Sequence, residues 1–571
     1  MHILLLIILN TIALGSTQLK QGEKSIFISP VRIPVQLSAN FGELRPDHYH
    51  SGLDLKTQGV TGKDIVATAD GYISRIGVSP GGFGRALYMT HPSGFTTVYG
   101  HLDRFSPEIE EYVKSEQYAK KSFTISLFPE KDRFRFRQGE LIAYSGNSGS
   151  SGGPHLHYEI RRTDGERPVN PLFFEFGTGD NINPVVEKLV IYPLGKNSEI
   201  NGRNAAMTLN VAGGHGNYYL PAGREISISG PAGFGIRAFD LLNDSYNKCA
   251  VYSIELEIDS VRLFRYVMDS FSFSETRYIN SHIDYETYIK DNVFIERVFR
   301  LPNDRLSVYK EVINRGIFNF KDSLTHSVRI KIADVHNNVS VLAFMVKPAV
   351  HSGIKRLHSE YDKVMPYNRS NTFSSDGISF SIPAGSLYDT LFFTYARENA
   401  REGMFSDIHI VHNRYTPLHR PGKLILKPSS VPKGKESKLL IANIGDNNRR
   451  TAIGTSWNGS SLEANISTLG AYFVAIDTVA PEISASGFTP GTDLRGRKSI
   501  RFRITDDFSG IKSYEPEIDG KWYLFEYDPK NNLLICDFDE DRIRKGAKHD
   551  LVLKVNDNRD NSNTYRCSFT W

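Results

Sequence analysis

Over most of its 571 residues this chain places apolar side chains at every second position in short runs, broken by Gly, Pro, Asn and Asp. That period belongs to strands rather than helices, and the breakers are turn formers, so the chain is expected to be mostly β. Residues from about Ser25 to Gly179 form a first β-rich unit. Within it, Gly153-Pro154 ends whatever precedes, and His155 to Ile160 alternates polar and apolar as a half-buried strand. Leu156, Tyr158 and Ile160 would face the core, with His155 and His157 side by side on the other face. Gly81-Gly82-Phe83-Gly84 reads as a turn, because neither a helix nor a phosphate-loop lysine follows. Pro107 to Tyr118 has helical spacing, and Phe123 to Phe128 reads as a strand.

From about Asn183 onward the short alternating runs have the pattern of β-sandwiches. Immunoglobulin-like sandwiches are expected at 184–348 and 478–571, with a β-rich domain at 349–477 between them and a linker at Val479-Ala480-Pro481. A weak internal repeat joins the two sandwiches. Ile330-Lys331-Ile332-Ala333-Asp334 runs on to Asn338, and Leu553-Lys554-Val555-Asn556-Asp557 runs on to Asn561; upstream, Ile236–Asp240 parallels Arg503–Asp506. Asp506 and Asp507 lack the dense ligand spacing of a calcium loop, so they are read as turn-forming acids.

Composition adds little to this picture: 40% hydrophobic and 23% charged residues suit an ordinary folded protein of several domains. A net charge of +4 without a basic run or basic-aromatic cluster excludes nucleic acid as an expected partner. The N-terminus says more. The apolar run Ile3–Leu14 has the length of a signal-peptide core, and Ala13-Leu14-Gly15 offers a cleavage site after Gly15. The protein is therefore expected to be exported, periplasmic or secreted, with a signal peptide at 1–15. No cysteine follows that run, which argues against a lipoprotein. Of the three cysteines, Cys536 and Cys567 share the terminal domain and are expected to be able to bridge, leaving Cys249 free.

The candidate chemistry lies in the first unit. His50 and Asp54, four apart, share a face on either a strand or a helix. Imidazole nitrogen and carboxylate oxygen are both zinc donors, and three protein ligands leave the fourth position of a catalytic site open. His155 and His157 suit a division of labour in which one ring binds a metal and the other reaches its water. Taken alone, each pair reads more readily as part of a solvated polar surface. Glu159 shares their face and is expected to be a plain surface residue or a support for a ligand ring; His91 is expected at the surface.

Together, His50-x-Gly-x-Asp54, Tyr99-Gly-His101-Leu, Gly146-Asn-Ser-Gly149, Gly-Pro-His155-Leu-His157-Tyr-Glu and Asn170-Pro171 resemble the lysostaphin/LytM family of zinc metallopeptidases, in the family's order. The resemblance spans about the first third of the chain. It implies an antiparallel-sheet peptidase domain at 25–180 that binds Zn2+ through His50, Asp54 and His157. His101 and His155 would be the two non-ligand catalytic histidines. Its implied activity is that of a zinc endopeptidase cutting peptidoglycan stem or cross-link peptides. In that reading His155 takes the water's proton and His101 steadies the oxyanion, and the roles are exchangeable. The segment at about 104–137 is an insertion relative to the family, expected to shape a groove wall. The sandwich domains are possible sites of cell-wall or envelope-protein contact. The competing expectation is a non-hydrolytic wall-binding or regulatory scaffold, its open metal position filled by a nearby side chain such as Asn40 or Glu43.

Overall fold

The computed structural model describes residues 26–174, 178–221, 223, 225–243, 245–351 and 360–571. The signal peptide expected at 1–15 lies outside the described residues. Among the described residues no helix is long and apolar enough to cross a membrane.

The chain is mostly β, as the alternation requires. The first unit is an 11-stranded sheet whose main path runs Leu37–Ala39, Leu53–Lys56, His155–Arg162, Phe95–Phe105, Arg85–Thr90, Gly71–Val78 and Arg135–Phe136. These neighbours all pair antiparallel. Leu55, Leu87, Tyr99, Leu156, Tyr158 and Ile160 meet in its core. The strand His155–Arg162 is not half-buried as its alternation suggested. Glu159 and Arg161, on the histidine face, are buried as well, because their charges pair with each other there.

The insertion forms the helix Pro107–Lys120, closed by a left-handed Lys121 whose N–H bonds back to Gln117 and Tyr118 carbonyls. Ile109 and Val113, one turn apart, bury against the core of the first sheet. The strand Ile125–Leu127 adds to the sheet beside Gly71–Val78. The helix is packed on its outer side as well. Its outer side carries the far end of the chain: Lys114 pairs with Asp539 at 2.7 Å, and Arg542 stacks on the Tyr118 ring at 3.3 Å. Tyr118 also packs edge-on against Trp522.

The second unit is a 14-stranded assembly between Val185 and Pro348. The third has two five-stranded sheets between Asn371 and Ile476, and the last has two four-stranded sheets between Glu482 and Thr570. All three cysteines are free. Cys536 and Cys567 do not bridge; they lie on different sheets of the last unit, paired with Ile500 and Leu551 respectively.

Candidate metal centre and active site

Sheet register brings the site together. On the central strand, His157 is opposite Asp54 on one side and Gly100 on the other. Residues directly opposite in a ladder put their side chains on one face, so Asp54 and His157 converge although 103 positions separate them. His50 arrives from the segment just before Asp54. Its Nε2 lies 3.0 Å from Asp54 Oδ1 and 3.0 Å from His157 Nδ1, and His157 Nδ1 lies 2.9 Å from Asp54 Oδ1. Three donor atoms thus close on one point from three buried side chains.

The other ring nitrogens are already committed. His50 Nδ1 donates to the Asn40 carbonyl at 2.7 Å, and His157 Nε2 donates to Glu159 Oε1 at 2.9 Å. Each donation fixes the tautomer that leaves the converging nitrogen with a lone pair, which is how metal-ligating histidines are oriented. The donor set of two imidazoles and one carboxylate fits zinc: around a tetrahedral ion with bonds of roughly 2.0–2.1 Å such atoms sit about 3.3 Å apart.

Glu159 is not the surface residue its position suggested. It is 0% exposed and accepts from His157, from the Ser51 hydroxyl and from Arg161 Nε. Burial would raise its pKa, but the Arg161 and His157 charges outweigh it and hold the carboxyl at about 2. His91 is also buried rather than at the surface, bonded to the Asp70 carbonyl and Thr97 hydroxyl.

The two remaining histidines flank the same point. His155 Nδ1 donates to the Gly153 carbonyl at 2.8 Å, and its Nε2 lies 3.5 Å from Asp54 Oδ1. His101 follows Gly100 on the strand Phe95–Phe105 and would face away in a regular strand. A left-handed backbone (φ 59) at a register shift turns its ring to 4.8 Å from that of His155. His101 Nδ1 donates to the Ser148 carbonyl at 2.9 Å. Burial, then the neighbouring His157 and His155, hold His101 down at about 3, so it rests neutral with Nε2 free.

Sequence reasoning missed two contributors. Arg45 reaches Asp54 Oδ2 at 2.9 Å and pairs with Glu43 at 3.2 Å. Burial lifts Glu43 to about 7 against the pull of Arg45, with the Asp54 charge adding to the rise. Phe83 stacks on the His157 ring at 4.9 Å. Its glycine loop packs directly on the loop 146–149: a Cβ on Gly84 would meet Ser148 Oγ at 2.4 Å, and one on Gly149 would meet Gly84 N at 2.3 Å. The glycines here exist for close backbone approach. Nothing in the local sequence marked Arg45 or Phe83, whereas the parity of Glu159 with His157 was a usable signal.

Asn40 does not fill the metal position. Its side chain donates to the Ala250 carbonyl and accepts from the Ala250 N–H, both at 2.8 Å. Glu43 is held by Arg45. The last unit does approach the site: Lys530 Nζ donates to the Asn147 and Ser151 carbonyls, the latter at 3.1 Å, and Ser151 Oγ is 3.2 Å from His155 Nδ1.

Residues 48–126 match the model of Peptidase family M23, a stretch that holds His50, Asp54 and His101. Residues 362–477 match that of the Zu5-like domain. An uncharacterized metalloprotease of Haemophilus influenzae is 36% identical over 131 residues, 23% of this chain and 21% of that protein. The DD-carboxypeptidase/endopeptidase Mpg of Neisseria meningitidis serogroup B is 36% identical over 123 residues, 22% of each. The chain thus spans about a fifth of the length of the curated relatives it matches. Among solved structures, a catalytic-domain variant of the prophage-encoded M23 protein EnpA from Enterococcus faecalis is 24% identical, covering 24% of this chain and 89% of that one, with a TM-score of 0.18.

Proposed function

Starting from the M23 peptidase domain that the chain carries, we propose that this protein is a zinc-dependent endopeptidase hydrolysing peptide bonds in peptidoglycan stems or cross-links. The observation that carries the reading is the convergence of His50 Nε2, Asp54 Oδ1 and His157 Nδ1 within 3.0 Å of one another, beside two histidines that are not part of that set. Because the substrate lies outside the cytoplasm, the reading agrees with an exported protein.

His50, Asp54 and His157 would hold the ion; zinc so bound lowers the pKa of a water and polarises a scissile carbonyl. The remaining work falls to this chain's own side chains. His155 Nε2, its Nδ1 proton spent on Gly153, takes the proton of the attacking water. His101 also rests with an empty Nε2, so it steadies the oxyanion only once it takes that same proton from the neighbouring His155 ring, and it then delivers the proton to the leaving amine. Arg45 and Glu159 hold the ligands themselves, through Asp54 Oδ2 and His157 Nε2. Phe83 over the His157 ring keeps water from the ligand's face.

The test is digestion of purified sacculi by the zinc-loaded chain, followed by mass analysis of the muropeptides. New amine termini that a chelator suppresses support the proposal; binding to the wall without release of any fragment refutes it. The scaffold reading has one observation in its favour, the contact of Lys530 with the loop 147–151 next to His155. If that contact blocks the site, Lys530→Ala combined with Tyr118→Ala turns an inert protein into an active one. Equal activity of the two forms removes the blocked-scaffold reading.

A further inference from the structure

One arrangement of acids occurs twice, once at the entrance to each of two β units. In the first, Asp180 precedes the strand Val185–Pro193, Asp240 lies near the end of the strand Ser227–Leu241, and Asp334 follows the strand His326–Ala333. In the second, Asp477 precedes the strand Glu482–Ser486, Asp506 follows the strand Ser499–Thr505, and Asp557 ends the strand Lys548–Asp557. An asparagine four residues after the last acid folds back in both. Asn338 gives its N–H to Asp334 Oδ1 at 2.8 Å and its Nδ2 to Asp334 Oδ2 at 2.6 Å and to the Asp180 carbonyl at 3.2 Å. Asn561 repeats these contacts on Asp557 and Asp477 at 2.8, 2.6 and 3.2 Å. The weak sequence repeat is therefore a repeat of three-dimensional construction.

What these clusters lack is a partner for the atoms at their centres. In the first, donor atoms of Asp180, Asp334 and His336 lie within 4.8 Å of one another. Asp180 Oδ2, Asp240 Oδ1 and His336 Nδ1 are all buried without a hydrogen-bond partner. Asp240 is 2% exposed. Burial, followed by the charges of Asp334 and Asp180, lifts its carboxyl to about 8, and its place near the end of the strand Ser227–Leu241 makes it the counterpart of Asp506 in the second cluster. In the second, donor atoms of Asp477, Asp506 and Asp557 lie within 4.8 Å of one another. The turn read at Asp506 is real: Oδ2 accepts from Phe508 and Gly510. Its Oδ1 is buried and unpartnered. Among the described residues no lysine or arginine pairs with any of these six acids. Packing like charges out of water with lone pairs unmet is unfavourable unless a cation sits among them.

We propose that each cluster binds a calcium ion, which ties the segment entering a β unit to the ends of two of its strands. Carboxylate oxygen is the donor of hard cations, and the second cluster offers nothing else. The three acids of the second cluster exceed what magnesium ordinarily takes, whereas calcium accepts many oxygens in irregular geometry. The first cluster lies where the peptidase-type sheet hands over to the next unit. The second lies where the Zu5-like region hands over to the unit that docks on the helix Pro107–Lys120. Calcium would then stiffen both joints that set the last unit against the candidate site. This inference does not depend on the peptidase reading.

Equilibrium dialysis of the zinc-loaded full chain against radioactive calcium tests it. The expected result is one calcium per cluster, two per chain, with dissociation constants of roughly 0.1–1 mM as in extracellular modules. Asp240→Asn should remove one ion, Asp506→Asn the other, and the pair both, with zinc content unchanged. Calcium should raise the thermal midpoint of the wild type and leave that of the double variant unmoved. Should Asp240→Asn fail to fold, the wild-type stoichiometry and the more exposed Asp506→Asn still decide. No bound calcium at roughly tenfold above that range, stoichiometry unaltered in the variants, or occupancy by magnesium in preference to calcium would each overturn the proposal.

Discussion

The carbonyl of Asn40 accepts the Nδ1 proton of His50 at 2.7 Å, while the Asn40 side chain is clasped on both atoms by the backbone of Ala250. One residue thus orients a candidate metal ligand and fastens it to the second β unit. Phe41 and Tyr49, on either side of this segment, are buried in the core of that unit with Phe271 and Met268 rather than in the first sheet. The neighbouring unit is therefore part of the scaffold of the metal centre.

Asn40→Ala is expected to lower both stability and zinc affinity. It strands the Ala250 N–H and carbonyl, at a cost of about 1–3 kcal/mol, and loosens the carbonyl that holds His50. Thermal unfolding and competition with a chromophoric chelator measure the two effects; a change in neither would mean that the clasp is idle.

Glu159→Gln keeps the shape of the residue and removes the charge that fixes the His157 tautomer. Zinc affinity should fall about 10–100-fold, the range seen when a ligand's supporting partner is lost. Chelator competition reads this directly, and an unaltered constant would show that the Glu159 charge does not orient the ring.

Ligand and non-ligand histidines should separate in one pair of variants. His157→Ala is expected to abolish zinc binding. His101→Ala is expected to keep zinc and lose hydrolysis by about 10²–10⁴-fold, the scale of general acid–base assistance. Metal content and muropeptide release on the same preparations give the comparison, and normal turnover by the His101 variant would remove that residue from the mechanism.

Acidity should oppose metal loading. Without an ion, burial disfavours a charged His157, but hydrogen bonds to Asp54 and Glu159 prevail and hold it up at about 9. Zinc must displace that proton, so apparent affinity should drop roughly tenfold per unit as pH falls below about 9. The sign for stability is the reverse. A raised histidine stabilises the metal-free fold fully below its ordinary value near 6.5, and that contribution fades as pH rises through about 9. Melting of metal-free and zinc-loaded protein across this window checks both directions; parallel curves would contradict them.

Much of the site was legible because strand alternation and turn formers are local. The His155–Ile160 stretch declared its own strand, and His50, Asp54, His101 and His157 stood out by residue type and spacing. The helix Pro107–Lys120 was legible for the same reason. What no local pattern could specify was which strands lie side by side. Ladder register alone sets His157 opposite Asp54, and a left-handed residue alone turns His101 toward them. The same holds for Glu159, whose burial depends on Arg161 and the overlying segment, and for Arg45, which meets Asp54 through a hairpin. The acid clusters are the plainest case. Asp477, Asp506 and Asp557 are spread along the chain and read singly as turn residues, and only the closing of two sheets makes them neighbours. Short-range periodicity encodes elements; convergence of charges and lone pairs is a long-range property, decided by packing.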